Sequence, residues 1–210
     1  MTVIILAAGT SRRFGQDKQL YCIHDLPVII HTCRAMQVIA RPLVIVCRYP
    51  DAMRVLLQTH AINADCIQGG DTRAESAYAG ICFSITTYQP TRIWLHDGAR
   101  PWASPDLLAR LDAGLTAAYS GCIPVLPVSD TIKRVRQSVI IETLDRTGLV
   151  RVQTPQVFWA TAIAAAFETQ DYLDCPDDAS VVEQAGGQIN TITGCSKNIK
   201  LTYPHDLNHT

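Results

Sequence analysis

The sequence contains no long apolar segment, no C-x-x-C pair of cysteines and no excess of charge of either sign. No apolar run approaches the roughly 18 residues that a membrane-spanning helix requires. The first predicted strand begins at Thr2 or Val3, which leaves no room for a signal or transit peptide, so we expect a cytoplasmic protein that does not contact a membrane. The formal net charge of −1 argues against a nucleic-acid-binding surface, which would show a strong basic excess.

The eight cysteines are spread along the chain, mostly inside apolar segments. Their spacing does not fit a zinc site, and we expect free, buried thiols in a reducing compartment. With 48% hydrophobic and 18% charged residues, the 210-residue chain has the composition of an ordinary globular protein. We therefore expect residues 1–210 to form one domain.

Short apolar runs alternate with segments of helical periodicity along most of the chain. Residues 3–6 and 42–47 predict buried strands, whereas residues 28–39 and 104–119 predict helices. This alternation predicts parallel βαβ units, and right-handed crossovers make the fold an α/β, doubly wound, mostly parallel sheet of the Rossmann-like type. Residues 130–143 differ, because two alternating runs flank a polar two-residue turn, a pattern that predicts a β-hairpin.

Three smaller features of the predicted elements can be checked directly. Asp51 is a candidate N-cap for a helix that runs to about His60. Asp177 and Asp178 precede a helix, where capping explains two adjacent acids better than a metal site does. Residues 198–202 predict a last strand, with Lys200 at its entrance.

The segment LAAGTSRRFGQDKQ, residues 6–19, is the stretch around which the chain is organised. It follows the first predicted strand, and ligands of α/β sheets bind at the carboxyl ends of strands. A turn of small residues with clustered Arg and Lys suits a polyphosphate, although composition alone also allows a solvated surface loop. Its spacing matches neither a Walker A loop nor a dinucleotide fingerprint, because Phe14-Gly15-Gln16 and Ser11 occupy the positions that those motifs require.

The spelling of this loop resembles the signature loop of sugar nucleotidyltransferases, and LAAG, RR and KQ are closest to 2-C-methyl-D-erythritol 4-phosphate cytidylyltransferases. Seven further matches follow in order along the chain: GGDTRAES, HDGARP, DTIKR, DRTGL, TPQ, DDASVVE and NIKLT. Because the matches extend from residue 6 to residue 202, coincidence is a poor explanation.

The resemblance implies transfer of CMP from CTP to a sugar-alcohol phosphate, with Mg²⁺ as the cofactor. The residues that it implies for catalysis are Arg13, Lys18, Asp97 and Lys200. Those that it implies for CTP binding are Ala7, Ala8, Gly9, Gly70, Asp71 and Ser76. Those for the polyol phosphate are Asp97, Thr131 and Arg146, and the metal ligands are not assigned.

The resemblance also implies a homodimer, in which residues 130–146 form an arm that clasps the second subunit. From the residues alone, a monomeric hairpin with a solvated basic face is as good an explanation. Asp97 and Arg100 could likewise form only a surface salt bridge, but their place at a strand end favours a functional role.

Several departures from the family pattern and several alternatives remain. The segment between Arg13 and Lys18 is short, Ser11 replaces a common glycine, and Pro176 replaces a threonine. Family members usually carry alanine where Gly98 stands. The nearest alternative is a D-ribitol-5-phosphate cytidylyltransferase; an NADP-binding oxidoreductase and a catalytically silent nucleotide-binding regulator are more distant.

Overall fold

The computed structural model describes residues 1–10, 14–15, 17–38 and 42–209, the side chains of residues 208 and 209 excepted. The strands in this part of the chain are β1 (Thr2–Ala7), β2 (Cys22–Ile23), β3 (Leu26–Pro27), β4 (Leu43–Cys47), β5 (Asp65–Gln68), β6 (Arg92–Asp97), β7 (Gly121–Pro127), β8 (Ile132–Arg136), β9 (Val139–Leu144), β10 (Val150–Val152), β11 (Gln156–Trp159) and β12 (Ile189–Thr193). The helices are α1 (Val28–Met36), α2 (Pro50–Thr59), α3 (Arg73–Tyr88), α4 (Pro105–Gly114), α5 (Ala160–Thr169) and α6 (Asp178–Gln184), followed by a 3₁₀ helix, Pro204–His209.

Eight of these strands form one sheet in the order β10-β7-β11-β6-β1-β4-β5, with β12 on the other edge of β7. The pairs β1·β4, β1·β6, β4·β5 and β7·β12 are parallel, while β11 is antiparallel to both β6 and β7. The predicted α/β, doubly wound, mostly parallel sheet is therefore confirmed. Strand β1 lies between β6 and β4, so the end of the first strand is at the centre of the sheet.

Helices cover both faces of this sheet, and β1 contributes side chains to both of the resulting cores. Val3 and Ile5 pack on the face with α1, α2 and α4, whereas Ile4 and Leu6 pack on the face with α3, α5 and α6. Every residue of β1 is buried, as a central parallel strand requires. Burial of each such aliphatic side chain contributes about 1.5–3 kcal/mol.

Some predicted boundaries are wrong. Asp51 does not cap α2, which begins at Pro50 with Tyr49 as its N-cap; the Asp51 carboxylate instead pairs with Arg54 at 2.6 Å. Ser104, the first residue of the helix predicted over residues 104–119, caps α4, but this helix ends at Gly114. Residues 198–202 form no strand, because their backbone bonds to loop residues rather than to a neighbouring strand.

Strands β8 and β9 form a two-stranded sheet of their own, joined at Gln137 and Ser138. Both turn residues have positive φ, 48° and 65°, as the favoured two-residue hairpin turns require. The large apolar side chains of this hairpin are mostly exposed; Val139 and Ile140 have exposed fractions of 64% and 59%. Among the described residues, this apolar surface stays largely uncovered.

Two further findings concern the whole described region. Its helices do not combine the length and apolar character that crossing a membrane requires. All eight cysteines are free thiols; four are buried, two are half-buried, and Cys22 and Cys82 are exposed.

Candidate active site

Three cavities surround the carboxyl end of β1. The polar cavity, about 260 Å³, is lined by Leu6, Ala8, Gly9, Thr10, Lys18, Gln19, Gly70, Asp71, Thr72, Arg73, Ser76, Asp97, Gly98, Ala99 and Lys200. The lateral cavity, about 430 Å³, is lined by Arg73, Asp97, Arg100, Ile123, Val152, Gln153, Thr154, Gln156, Pro176, Asp177, Ser180, Glu183 and Lys200. The apolar cavity, about 560 Å³, is lined by Ala7, Gly9, Thr10, Gly15, Asp17, Gln19, Leu20, Cys47, Arg48, Tyr49, Ala52, Met53 and Leu56.

Asp97, the last residue of β6, lies on the wall that the polar and lateral cavities share. Its carboxylate contacts three cations: Lys200 at 2.9 Å, Arg100 at 3.4 Å and Arg73 at 3.5 Å. Burial alone would raise the pKa of Asp97, but the charges of Lys200, Arg73 and Arg100 outweigh it and hold that pKa well below its usual range. Asp97 is therefore ionised at neutral pH.

Arg73 joins this cluster to helix α6. Its guanidinium donates two hydrogen bonds to Asp178, at 2.9 and 2.8 Å, and the Asp178 side chain is only 1% exposed. Burial would lower the pKa of Arg73, yet the two carboxylates raise it, so the side chain stays charged. Three cations thus surround two carboxylates, and the cluster keeps one net positive charge for an anionic ligand.

A buried hydrogen-bond network holds the backbone of this cluster. Thr154 Oγ1 accepts from the Asp97 N–H at 3.0 Å and lies 3.1 Å from His96 Nδ1. His96 Nε2 lies 3.0 Å from the Arg100 carbonyl. Assigned from these partners, His96 is neutral: Nε2–H donates to the carbonyl and Nδ1 accepts from the threonine hydroxyl. The network fixes the backbone positions of Asp97 and Arg100.

The segment that carries Lys200 is fastened to the loop after β6. Arg100 Nη1 donates to the Asn198 carbonyl at 2.8 Å, and the Leu201 N–H donates to the Ala99 carbonyl at 2.9 Å. Lys18 Nζ donates to the Leu201 carbonyl at 3.3 Å. These bonds bring two lysines that are 182 positions apart in sequence to the wall of the same cavity.

The start of α3 forms the opposite wall of the polar cavity. Thr72 caps this helix and Glu75 completes the capping box, which orders the turn that precedes it. A Cβ at Gly69 would lie 2.4 Å from the Ala8 Cβ, so only glycine allows this turn to approach β1. The backbone of Gly70 and Asp71 therefore lies along the cavity together with the Ser76 hydroxyl.

Gly98 makes a second close approach. A Cβ at this position would lie 2.9 Å from Gln19 Oε1 and 3.0 Å from the Leu6 carbonyl oxygen. The Gln19 amide therefore occupies the space that a methyl group at residue 98 would fill. Its side chain lines both the polar and the apolar cavity.

Most of the residues predicted for the site come together. The polar cavity is lined by Ala8, Gly9, Lys18, Gly70, Asp71, Ser76, Asp97 and Lys200. Ala7 lines the apolar cavity instead, because successive side chains of a strand point to opposite faces. Thr131 and Arg146 are exposed beside the hairpin and line none of these three cavities. Arg12 and Arg13 lie outside the described residues.

The sequence analysis assigned no site role to two charged residues of the cluster, Arg73 and Asp178, and it favoured a functional role for Arg100 without naming that role. Both arginines lie inside matched motifs, Arg73 in GGDTRAES and Arg100 in HDGARP, so these motifs could have indicated them as site residues. The capping explanation holds for Asp177, which accepts from the Ser180 N–H at 3.0 Å. It does not describe Asp178, whose carboxylate binds Arg73.

The donor set for a divalent metal is small. Among the described residues, no group of three or more His, Cys, Asp or Glu side chains is arranged to hold an ion. Asp71 and Asp97 are the carboxylates on the wall of the polar cavity. Since Mg²⁺ is commonly held by one or two carboxylates together with substrate phosphates, this set fits an ion that arrives with a polyphosphate.

Acid should destabilise the protein through His96. Burial lowers the pKa of His96 from 6.5 to about 4, so the unfolded chain takes up a proton before the folded protein does. We expect the free energy of unfolding to fall by about 3 kcal/mol as pH drops from about 6.5 to about 4. Urea unfolding at a series of pH values measures this slope, and a His96→Asn variant should flatten it. An unchanged slope in that variant would contradict the assignment.

Comparison with known proteins places this arrangement in a family. A family model described as 2-C-methyl-D-erythritol 4-phosphate cytidylyltransferase matches residues 1–210. The chain is 36% identical to the protein of that name from Carboxydothermus hydrogenoformans, over 98% of the chain and 91% of the relative. It is 37% identical to the bifunctional enzyme IspD/IspF of Rhodospirillum rubrum, over 99% of the chain, and spans about half (55%) of that protein.

A solved structure agrees with these sequence matches. The crystal structure of a 4-diphosphocytidyl-2C-methyl-D-erythritol synthase superposes with a TM-score of 0.84 at 29% identity, covering 99% of this chain and 95% of the other. The family model and both relatives extend over nearly the whole sequence, and the fold agrees with them. The chain therefore belongs to the 2-C-methyl-D-erythritol 4-phosphate cytidylyltransferase family.

Proposed function

We propose that this protein transfers CMP from CTP to 2-C-methyl-D-erythritol 4-phosphate, giving 4-diphosphocytidyl-2-C-methyl-D-erythritol and pyrophosphate, as a step of non-mevalonate isoprenoid synthesis. The observation that carries this proposal is the Asp97 cluster, whose cations lie on the wall between the polar and lateral cavities. Two anionic substrates, one in each cavity, would meet there.

We assign CTP to the polar cavity. Cytosine presents an amino donor beside a carbonyl acceptor, and the backbone of Gly70 and Asp71 with the Ser76 hydroxyl can complement both groups. Uracil has a carbonyl in place of the amino group and an N3–H donor in place of the N3 acceptor, so it would leave polar groups unpaired, which such sites reject strongly. Ala8 and Gly9 leave room for the nucleotide to approach the end of β1.

The acceptor phosphate would then attack the α-phosphorus of CTP in line. A new oxygen–phosphorus bond forms, the bond to the bridging oxygen of the β-phosphate breaks, and pyrophosphate leaves with the electron pair. The attacking oxygen is already ionised, so no general base is required. This agrees with the chemistry of the site, where the nearest histidine, His96, is fully buried and already hydrogen-bonded at both nitrogens.

Charge is what the reaction needs instead. Two unit charges about 4 Å apart interact with about 4 kcal/mol at an effective dielectric near 20. We assign Lys18 and Arg13 to the triphosphate and the departing pyrophosphate, and Lys200 to the α-phosphate in the transition state. Asp97 holds Lys200 and Arg100 in place between the cavities, and Asp97, Thr131 and Arg146 are assigned to the acceptor.

Mg²⁺ is the proposed cofactor. Bound to the phosphates of CTP, with Asp71 and Asp97 as the carboxylates of the same cavity, it would neutralise charge that develops on the leaving pyrophosphate. The residues of the chain supply the remaining positive charge and the orientation of both substrates.

The hairpin of β8 and β9 is the proposed dimerisation arm. Its apolar side chains are exposed in the part of the chain that the structure describes, and patches of this kind mark protein interfaces. Thr131 and Arg146 flank the open end of the hairpin, and we assign them to the acceptor site formed with the second subunit.

Ile140→Asp should dissociate this dimer. Ile140 is 59% exposed and lies opposite Val135 across the hairpin. A symmetric interface contains each position twice, so we expect dimerisation about a hundredfold weaker or more. Sedimentation velocity measures this, with Leu173→Asp as the control, because Leu173 is similarly exposed at 53% but lies outside the hairpin. A wild-type monomer, or a variant that remains dimeric, would contradict the role of the arm.

The activity itself is tested by pyrophosphate release from CTP and Mg²⁺. 2-C-methyl-D-erythritol 4-phosphate and D-ribitol 5-phosphate are supplied in parallel, and a reaction without an acceptor measures hydrolysis. Rapid release with only the first acceptor is the expected result. Preference for ribitol phosphate would overturn the acceptor assignment, and CTP binding without release with either acceptor would overturn the proposed reaction.

A further inference from the structure

The lateral cavity has one apolar corner. Apart from Pro176, all of its lining residues are polar or charged except Ile123 and Val152, which we call the aliphatic patch. Ile123 is 5% exposed, whereas Val152 is 40% exposed. Because covering aliphatic surface is favourable, an apolar group of a ligand in this cavity would be stabilised against the patch.

The strand register brings these two side chains to one surface. Val152 on β10 lies opposite Val125 on β7, and Ile123 precedes Val125 by two positions on the same strand. Since successive side chains of a strand alternate between the two faces, Ile123 and Val152 lie on one face of the sheet as diagonal neighbours. Both are β-branched and have few rotamers, so the patch is ordered before a ligand binds.

Charge determines how a polyol phosphate would lie in this cavity. Arg100 and Lys200 line it and attract a phosphate group. Asp177 and Glu183 line it from helix α6 and its N-cap, and their carboxylates repel a phosphate group. The phosphate would therefore lie at the cations, and the uncharged carbon chain would lie beside the aliphatic patch and α6, where the Glu183 carboxylate can accept hydrogen bonds from hydroxyl groups.

On the basis of the proposed function, we propose that Ile123 and Val152 bind the methyl branch of the acceptor and thereby select a methyl-branched polyol phosphate over an unbranched one. The methyl group is the substituent of this acceptor that needs no hydrogen bond. A hydroxyl group held against the patch would lose its hydrogen bonds to water without replacement, which is unfavourable. The patch thus favours 2-C-methyl-D-erythritol 4-phosphate over a linear polyol phosphate such as D-ribitol 5-phosphate.

D-Erythritol 4-phosphate is the matched acceptor, because it carries hydrogen where 2-C-methyl-D-erythritol 4-phosphate carries the methyl group. Both acceptors compete in one reaction with CTP and Mg²⁺, and the ratio of the two products, corrected for the acceptor concentrations, gives the ratio of their kcat/KM values. We expect a preference of about tenfold for the methylated acceptor, the lower end of the range for one methyl group in an apolar pocket, because Val152 is partly open to solvent. Equal use of the two acceptors would overturn the inference.

Val152→Thr tests the patch, since threonine keeps the branched shape and replaces one methyl group with a hydroxyl. We expect the preference to fall by about threefold or more, because the hydroxyl resists burial against the methyl group of the acceptor. Val150→Thr is the control, since Val150 is 46% exposed on the same strand and the same face but does not line the cavity. The ratio does not depend on how much of each variant is folded. An unchanged preference in Val152→Thr, or the same fall in both variants, would overturn the role of the patch.

Binding can also be measured without turnover. The product, 4-diphosphocytidyl-2-C-methyl-D-erythritol, carries the same methyl group and is added alone to protein with ¹³C-labelled Ile and Val methyl groups. We expect nuclear Overhauser effects between the ligand methyl group and the methyl groups of Ile123 and Val152, with Val152 identified by the signals that Val152→Thr loses. Absence of binding, or contacts to neither residue in the saturated complex, would overturn the inference. Pyrophosphate release with neither acceptor would overturn the proposed function, whereas product bound away from the patch would overturn only this inference.

Discussion

Replacing Lys200 with methionine should lower turnover at saturating CTP and acceptor by about a hundredfold to a thousandfold, the range that loss of one transition-state contact produces. Lys200 Nζ lies 2.9 Å from Asp97 and lines both the polar and the lateral cavity. It is therefore placed where charge shifts from the α-phosphate toward the leaving pyrophosphate. Methionine keeps much of the apolar stem and removes only the charge.

The fold should survive this change, because the Lys200 side chain is 38% exposed and Asp97 keeps Arg73 and Arg100 as partners. Pyrophosphate release at saturating substrates and a thermal unfolding curve are the two measurements. Lys197→Met is the matched control, since Lys197 is exposed in the same segment and lines neither the polar nor the lateral cavity. Turnover close to that of the wild type in Lys200→Met would remove Lys200 from the mechanism.

Asp97→Asn should cost about 3–5 kcal/mol of stability, because removing one member of a buried ionic cluster leaves the others uncompensated. Arg73 would keep its pair with Asp178, whereas Arg100 and Lys200 would lose the carboxylate that they contact. Activity should fall as well, since the side chains of Lys200 and Arg100 lose the group that positions them. Chemical unfolding and pyrophosphate release measure the two effects.

Asp97→Asn also removes one negative charge from the cluster, whose net charge rises by one. Its extra net positive charge should make added pyrophosphate raise the melting temperature more than it does for the wild type. The control is Asp112→Asn, which removes a half-exposed partner of Arg92 and should cost under about 1 kcal/mol. If the two variants lose equal stability, or if pyrophosphate stabilises Asp97→Asn no more than the wild type, the cluster is not an anion site.

The sequence predicted the elements whose signals are local. The start of helix α4 at Ser104 and the two-residue turn of the hairpin each depend on residues a few positions apart, and each forms where it was expected. The matched motifs also placed Lys18, Asp97 and Lys200 on one cavity wall. The local elements could be predicted because their patterns involve residues that lie within about one turn of each other.

What the sequence did not predict depends on distant partners. Strand β11 has only four residues. It pairs with β6 and with β7 inside the sheet, and these pairings, not its own sequence pattern, make it a strand. The Arg73–Asp178 ion pair joins residues that are 105 positions apart in sequence, and local sequence patterns do not predict contacts over such a separation. Residues 198–202 have the sequence pattern of a strand. In the structure, however, their backbone groups form hydrogen bonds with Ala99 and Arg100 and not with a neighbouring strand.

The close packing of Gly98 against Gln19 restricts how this protein can diverge from its relatives. An alanine at residue 98 cannot enter until the Gln19 amide has moved, so the order in which two substitutions arise decides whether the intermediate is tolerated. A shorter side chain at residue 19 first removes the closest contact, whereas changing residue 98 first requires the buried Gln19 amide to move within a wall shared by two cavities. The effect of a substitution at residue 98 therefore depends on residue 19. We expect these two positions to change together among proteins that descend from this chain.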